Sequence, residues 1–255
     1  MRHFFAGLGL AFRGYAQSFR TISACKLGWV FAVPLLILLL NLWVGGNLAY
    51  HLTAHATDWF RDIIPFSMGN GWLAGLIRTL SAFIVWLSLF FVMVYVGGTV
   101  LLILLSPLLA YISERVEAHL TGRSYPFRLG ELLSDIVRGI RIALRNLAVE
   151  VGLTAALFLV GLIPAVGFLV PFVLFGVAAY YYGFAFMDYT LERRRYTVRQ
   201  SIALVRRHRG AAVGLGAGYM LLTTIPFVGL ALAGFASILS EVAATLACNE
   251  LAEER

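Results

Sequence analysis

Charged side chains are scarce in this chain, at 13% of 255 residues against about 25% in soluble domains. That scarcity, with 60% hydrophobic residues in long runs, excludes an ordinary soluble globular protein and points to an all-α integral membrane protein. Lysine is almost absent: Lys26 stands alone beside nineteen arginines. Cysteine is nearly missing too. Cys25 and Cys248 make neither a disulfide framework nor a metal site and read as two free thiols. No Gly-rich phosphate loop, metal-ligand spacing or Ser/His/Asp arrangement is visible. Nothing catalytic stands out, and no cofactor or metal is expected. His3, His51, His55, His119 and His208 are scattered. No cleavable signal peptide is visible, because the first apolar stretch is amphipathic and lacks a small-residue cleavage site after it. The net charge of +7 does not indicate nucleic acid. The arginines cluster beside apolar runs, where they act as orientation signals and contacts to anionic headgroups of the lipid bilayer.

Residues 1–26 carry Phe4, Phe5, Leu8, Phe12, Tyr15, Phe19 and Ile22 at helical steps. This predicts an interfacial amphipathic helix with its aromatics in the acyl boundary. Residues 28–50 form a first span of 23 uncharged residues, long enough to cross the hydrocarbon core. A polar loop, 51–71, holds His51 and His55. A second span covers 72–105. Residues 107–149 read as cytoplasmic-side helices, including an amphipathic one outlined from Leu129 to Leu147.

Two apolar stretches follow, 151–187 and 210–247. Each is interrupted by the same motif, Ile-Pro-x-Val-Gly, at Ile163–Gly167 and Ile225–Gly229. A Pro-Gly break in an apolar run makes a helical hairpin, so Pro164, Gly167, Pro226 and Gly229 are expected at its turns. The uncharged arms Val151–Leu162, Gly210–Thr224 and Leu230–Ser240 have 12, 15 and 11 residues, or roughly 16–22 Å as helix. They are too short to cross unless Glu150 or Glu241 is drawn in. The favoured reading is two half-penetrating hairpins, and the alternative is six full spans. Only Arg61 and Arg78 of the 20 basic residues lie on the 51–78 side. The positive-inside rule therefore places both termini in the cytoplasm.

Glu114 and Glu117 lie one helical turn apart, with Arg115 and His119 nearby. Together with Arg138 and Arg141 they form either an ion-pair network fixing helix packing or the lining of an anion pathway. Gly210, Gly214 and Gly218 make two consecutive small-xxx-small steps. These suit close helix approach, within the hairpin or between subunits of a homo-oligomer. The Arg193–Arg195 and Arg206–Arg209 runs read as lipid-facing inside-positive signals, with anion gathering as the other reading.

Five segments in this order resemble the CysZ family of bacterial sulfate permeases, within the wider etoposide-induced-protein superfamily. They are SPLLAYISERVEAHLTG at 106–122, SDIVRGIR at 134–141, LIPAVGFLVPF at 162–172, MDYTLERRRYTVRQSIALVRRHR at 187–209 and TIPFVGLALAGFA at 224–236. The resemblance implies two long transmembrane helices, two half-penetrating hairpins, amphipathic helices and an oligomer. It also implies movement of sulfate or sulfite across the bacterial inner membrane, feeding cysteine synthesis. Family members resemble one another in a Gly-x-Arg-Arg segment before the first transmembrane helix, whose arginines bind sulfate. Counting back from Pro34-Leu35-Leu36, the equivalent positions are Gly28 and Trp29. The arginine pair is missing, and Lys26, Leu27 and Gly28 are the remaining candidates for a small anion. His119 stands where the family's Glu-Ala-Arg-Leu-Thr-Gly motif has arginine. The expected function is a CysZ-like permease or channel for a small solute, with sulfate or a related oxyanion the candidate, in sulfate assimilation. The alternative is a non-transporting scaffold or lipid-organising protein that kept the fold.

Overall fold

The computed structural model describes residues 2–40, 43–44, 47, 72, 76, 79–80, 83–84, 87, 105–122, 129–163, 167–224 and 229–253. Pro164, Pro226, His51, His55, the end of the first long span and most of the second lie outside the described residues. Among those described, every regular element is a helix. The chain divides into two compact units, Met1–Phe31 with Ser106–Arg255, and Ala32–Leu105. In the second unit the described residues are helical, and Leu36, Leu40, Trp43, Trp72 and Ile84 are exposed, as lipid-facing side chains are.

The first unit contains α1 (Arg2–Ala24) and a 3-10 turn (Gly28–Phe31). Next come α2 (105–121), α3 (Leu129–Gly161), α4 (Val170–Arg193), α5 (Val198–Arg207), α6 (Arg209–Thr223) and α7 (Gly229–Glu253). Helix α6 is the hub, packing against α4, α1 and α7. Its approach to α4 is governed by four small residues at i, i+4 spacing. A Cβ at Gly183 would strike the Ala212 carbonyl, and one at Gly216 would strike the Ala179 carbonyl. Lipid gives apolar helices little hydrophobic reason to associate, so van der Waals contact at short backbone separation carries the pairing.

Gly210, Gly214 and Gly218 belong to another face of α6. Gly210 lies against the Phe4 backbone, Gly214 against Ala11 and Leu8, and Gly218 against the Tyr15 ring. The partner of this stripe is therefore α1, not the other hairpin arm. With α1 seated there, the stripe has no room for a second subunit. Gly14 of α1 in turn approaches Ala243 of α7. Tyr15 Oη donates to the Leu215 carbonyl at 2.6 Å and bonds Ser240 Oγ at 2.6 Å, joining α1 to both arms of the second hairpin. The expected stripe of α1 divides: Phe5, Phe12 and Phe19 are exposed, whereas Leu8, Tyr15 and Ile22 pack inward. The packed side is Gly7, Leu10, Ala11, Gly14, Ser18 and Ile22. Small side chains seat a helix closely, and bulky rings facing lipid do not hinder that.

Two boundaries differ from expectation. The amphipathic segment and the first hairpin arm are a single 33-residue helix, α3, since no proline separates Leu147 from Val151. The last arm does not stop at Ser240 but runs on as α7, where 241–248 are all buried. Helices thus run through Glu150 and Glu241, and uncharged runs understate arm length. Ile140–Gly161, Val170–Arg193 and Leu232–Ala252 are long and apolar enough to cross a membrane. Helix α6, with 15 residues, reaches roughly 22 Å. The two motif glycines repeat one geometry. A Cβ at Gly167 would lie 2.6 Å from the Gly161 carbonyl, and one at Gly229 would strike the Thr223 carbonyl, six residues back in each case.

Three helix ends use a left-handed residue. Helix α2 closes on Gly122 (φ 67), whose N–H reaches the Ala118 carbonyl. Helix α1 ends in a Schellman motif, with Lys26 N–H to Ser23 O and Leu27 N–H to Ile22 O. Helix α4 ends in the same way, with Arg195 N–H to Glu192 O and Tyr196 N–H to Leu191 O. Glycine is the usual left-handed residue of this motif. Here Lys26 (φ 55) and Arg195 (φ 60) occupy it, at a cost of about 1–2 kcal/mol each.

Gly183→Val or Gly216→Val is expected to lower stability by about 3 kcal/mol, read as the melting temperature of the purified protein in detergent. Gly9→Ala, at a position with nothing within 4 Å, is expected to be neutral or stabilising by up to about 1 kcal/mol. Equal losses in both classes would show that close approach does not set the α4–α6 distance.

Candidate functional site

The left-handed Lys26 turns the chain out of α1 beside α2, and an open depression of about 310 Å³ forms there. Its lining includes Cys25, Lys26, Arg115 and His119. Arg115 and His119 lie four apart on α2, so both point to one side. Arg115 is fixed by Tyr111, donating Nε–H to the phenol oxygen at 3.0 Å and stacking over its ring at 5.5 Å. Tyr111 packs in turn against Trp29, ring centroids 6.0 Å apart. Trp29 thus supports the tyrosine that orients Arg115. Burial pushes the Cys25 thiol up, while Arg115 pulls it back less strongly. Leu27 is buried and Gly28 opens the 3-10 turn. Neither lines the depression, so of the expected trio only Lys26 does.

The other side of α2 carries Glu114 and Glu117, which meet the end of α4. Arg193 Nη1 donates to Glu114 Oε2 at 3.1 Å. Arg194 Nε donates to Glu117 Oε1 at 2.7 Å, Nη1 to the Cys248 carbonyl at 3.1 Å and Nη2 to Asn249 Oδ1 at 3.4 Å. The Glu117 side chain is 2% exposed and Arg194 14%. Arg193 and Arg194 are therefore not lipid-facing as expected: Arg194 pairs with the buried Glu117 and Arg193 with the part-exposed Glu114, because a carboxylate inside helix packing requires a cation.

Arg138 forms a second cluster. It holds Asp188 through both Nη groups at 2.9 and 3.2 Å and reaches Glu192 at 3.2 Å. It also donates to Ser201 Oγ at 2.8 Å and the Tyr196 carbonyl at 3.1 Å. This one guanidinium joins α3, α4 and α5. Arg141 is exposed and no part of either cluster. The group Glu114, Glu117, His119, Arg138 and Arg141 is thus divided among two ion clusters, the depression and the surface.

Between α2, α4 and α7 three wholly buried hydroxyls form a triangle. Ser113 Oγ lies 3.2 Å from Thr190 Oγ1, Thr190 Oγ1 lies 3.2 Å from Thr245 Oγ1, and Thr245 Oγ1 lies 3.3 Å from Ser113 Oγ. Glu241, one turn before Thr245, is wholly buried. Its carboxylate lies near Ser113, Thr245 and the Arg193 charge, yet neither oxygen has a well-formed hydrogen bond. Sequence reasoning treated Glu241 only as a span boundary. Its place as the one charged residue between Gly229 and Asn249 was the signal for it. The i, i+4 pair Asp188 and Glu192 was the signal for the Arg138 cluster.

Arg194→Met strands the buried Glu117 carboxylate and is expected to cost about 3–5 kcal/mol, read as a fall in melting temperature. Adding Glu117→Gln should recover most of it. Equal stability of the single and double variants would show that the pair does not hold α2 on α4. Glu241→Gln is expected to keep or raise stability, because an amide carries no charge to bury. A large loss would reveal a needed anionic partner.

A family model described as Sulfate transporter CysZ/Etoposide-induced protein 2.4 matches residues 15–233. A protein of Pectobacterium atrosepticum named Sulfate transporter CysZ is 28% identical over 202 residues, covering 77% of this chain and 71% of that protein. One of the same name from Vibrio cholerae serotype O1 is 27% identical over 200 residues, covering 76% of this chain and 77% of that protein. The family match takes in the end of α1, α2, both hairpin motifs and the arginines after α4, and the chain belongs to the Sulfate transporter CysZ/Etoposide-induced protein 2.4 family.

Proposed function

We propose that this protein is an inner-membrane permease or channel for sulfate or a related small oxyanion, with the Lys26–Arg115–His119 depression as the point where the anion first binds. The observation that carries this reading is the convergence of Lys26 and Arg115 on one depression. It adjoins the segment where the family's arginines belong. Two permanent cations match a doubly charged tetrahedral oxyanion, and the Arg115 fork can bond it through more than one N–H. The relatives named Sulfate transporter CysZ support sulfate as the solute. Glu114 and Glu117 would act deeper, holding Arg193 and Arg194 until a passing anion competes for them. Both termini would face the cytoplasm, and the physiological role would be supply for sulfur assimilation.

Trp29 favours a second reading, a membrane scaffold that kept the fold and lost the anion site. Sulfate flux into proteoliposomes separates the two. Flux above empty vesicles is expected, with Lys26→Gln and Arg115→Gln each lowering it roughly tenfold. No flux for sulfate, sulfite or thiosulfate would overturn the permease reading. Binding has a readout of its own in Cys25, since Cys248 is buried. Maleimide labelling should occur at Cys25 alone, accelerate as pH rises towards its elevated pKa, and slow when sulfate occupies the depression. Labelling indifferent to sulfate would remove the depression as the binding point.

A further inference from the structure

A second cavity, about 410 Å³, opens where α4 ends and α5 begins. Its lining includes Arg194, Arg195, Tyr196, Gln200, Leu204 and Arg207, and among the described residues no carboxylate. Arg194 is a fixed wall, because Glu117, the Cys248 carbonyl and Asn249 hold its guanidinium. Gln200 is oriented as well: its Oε1 accepts from Thr197 N–H and Oγ1–H in the capping box that starts α5. What this amide retains to offer a ligand is its NH2 group. Arg195 and Arg207 add cations from two separate elements.

The backbone of Arg195 supplies an independent observation. It holds the left-handed C′ position of a Schellman motif, where glycine would be unstrained. The same substitution of a cation for glycine occurs at Lys26, and that residue also lines a cavity. Gly122, the left-handed residue that is a glycine, lines neither. At both cationic helix ends, the backbone is strained where a basic side chain meets an open concavity.

We infer that the cavity between α4 and α5 is a second anion site, taking the phosphate group of a larger molecule. Guanidinium forks match tetrahedral oxyanions, and Arg194, Arg195 and Arg207 bring three of them to one concavity. At roughly 30 Å³ per water, the volume exceeds what a bare anion fills. Leu204 and the Tyr196 ring provide apolar surface for an attached organic part. A soluble phosphomonoester and an anionic lipid headgroup share this chemistry. The inference does not depend on the sulfate reading, which concerns the other cavity.

The test uses the full-length protein. In detergent it is titrated with inorganic phosphate and glycerol phosphate; in nanodiscs, phosphatidylglycerol retention is compared with phosphatidylcholine by native mass spectrometry. Saturable binding in the first arm identifies a soluble source, and selective retention in the second a lipid source. Arg207→Gln and Arg195→Gly should each weaken binding roughly tenfold. Arg199→Gln, the same charge change at an exposed position of α5, should alter it less than about twofold, and Arg115→Gln in the other cavity should leave it unchanged. Arg195→Gly should also melt at a higher temperature, showing that lost binding is not lost folding. No binding in either arm, or equal weakening by Arg199→Gln and Arg207→Gln, would overturn the site.

Discussion

Close backbone approach around α6 is the constraint on which the rest depends. Ala179, Gly183, Ala212 and Gly216 allow α4 and α6 to touch main chain to main chain, and Gly210 does the same for α1. These contacts bring the end of α4 to α2 and seat α1 across the second hairpin. A helix displaced by the width of one side chain would separate Arg194 from Glu117, because a 2.7 Å ion pair has no slack. Packing and electrostatics are therefore coupled: small residues set the distances, and buried pairs register the helices along one another.

Cations have three different roles here. Arg138, Arg193 and Arg194 are structural, each paired with an acid and each joining elements distant in sequence. Lys26 and Arg195 hold left-handed helix ends and face cavities. Arg141 remains on the surface. The composition alone presents these as one population of inside-positive arginines.

Much of the architecture was legible from the chain. The two apolar stretches that carry the Ile-Pro-x-Val-Gly motif are each divided, with helices ending at Gly161 and Thr223, six residues before the motif glycine in both. The end of α2 at Gly122 and the small-xxx-small stripe were also visible. Helix limits were less so. Glu150 and Glu241 looked like boundaries, whereas α3 and α7 pass through them. Inside a helix a carboxylate is tolerated according to its neighbours in space, and those neighbours lie on other helices.

Sequence by itself determined the class, the two Ile-Pro-x-Val-Gly interruptions and the residues Gly28-Trp29 ahead of Pro34. Each of these is local, written in hydropathy, turn chemistry or the residue at one position. Only the tertiary structure decided that Gly210, Gly214 and Gly218 receive α1, that Glu117 belongs to Arg194, and that Arg115 stands beside Lys26. Those pairings join residues far apart along the chain, and periodicity cannot reveal which helix face meets which. Arg115 reaches the Lys26 depression from another helix, oriented by Tyr111, against which Trp29 packs.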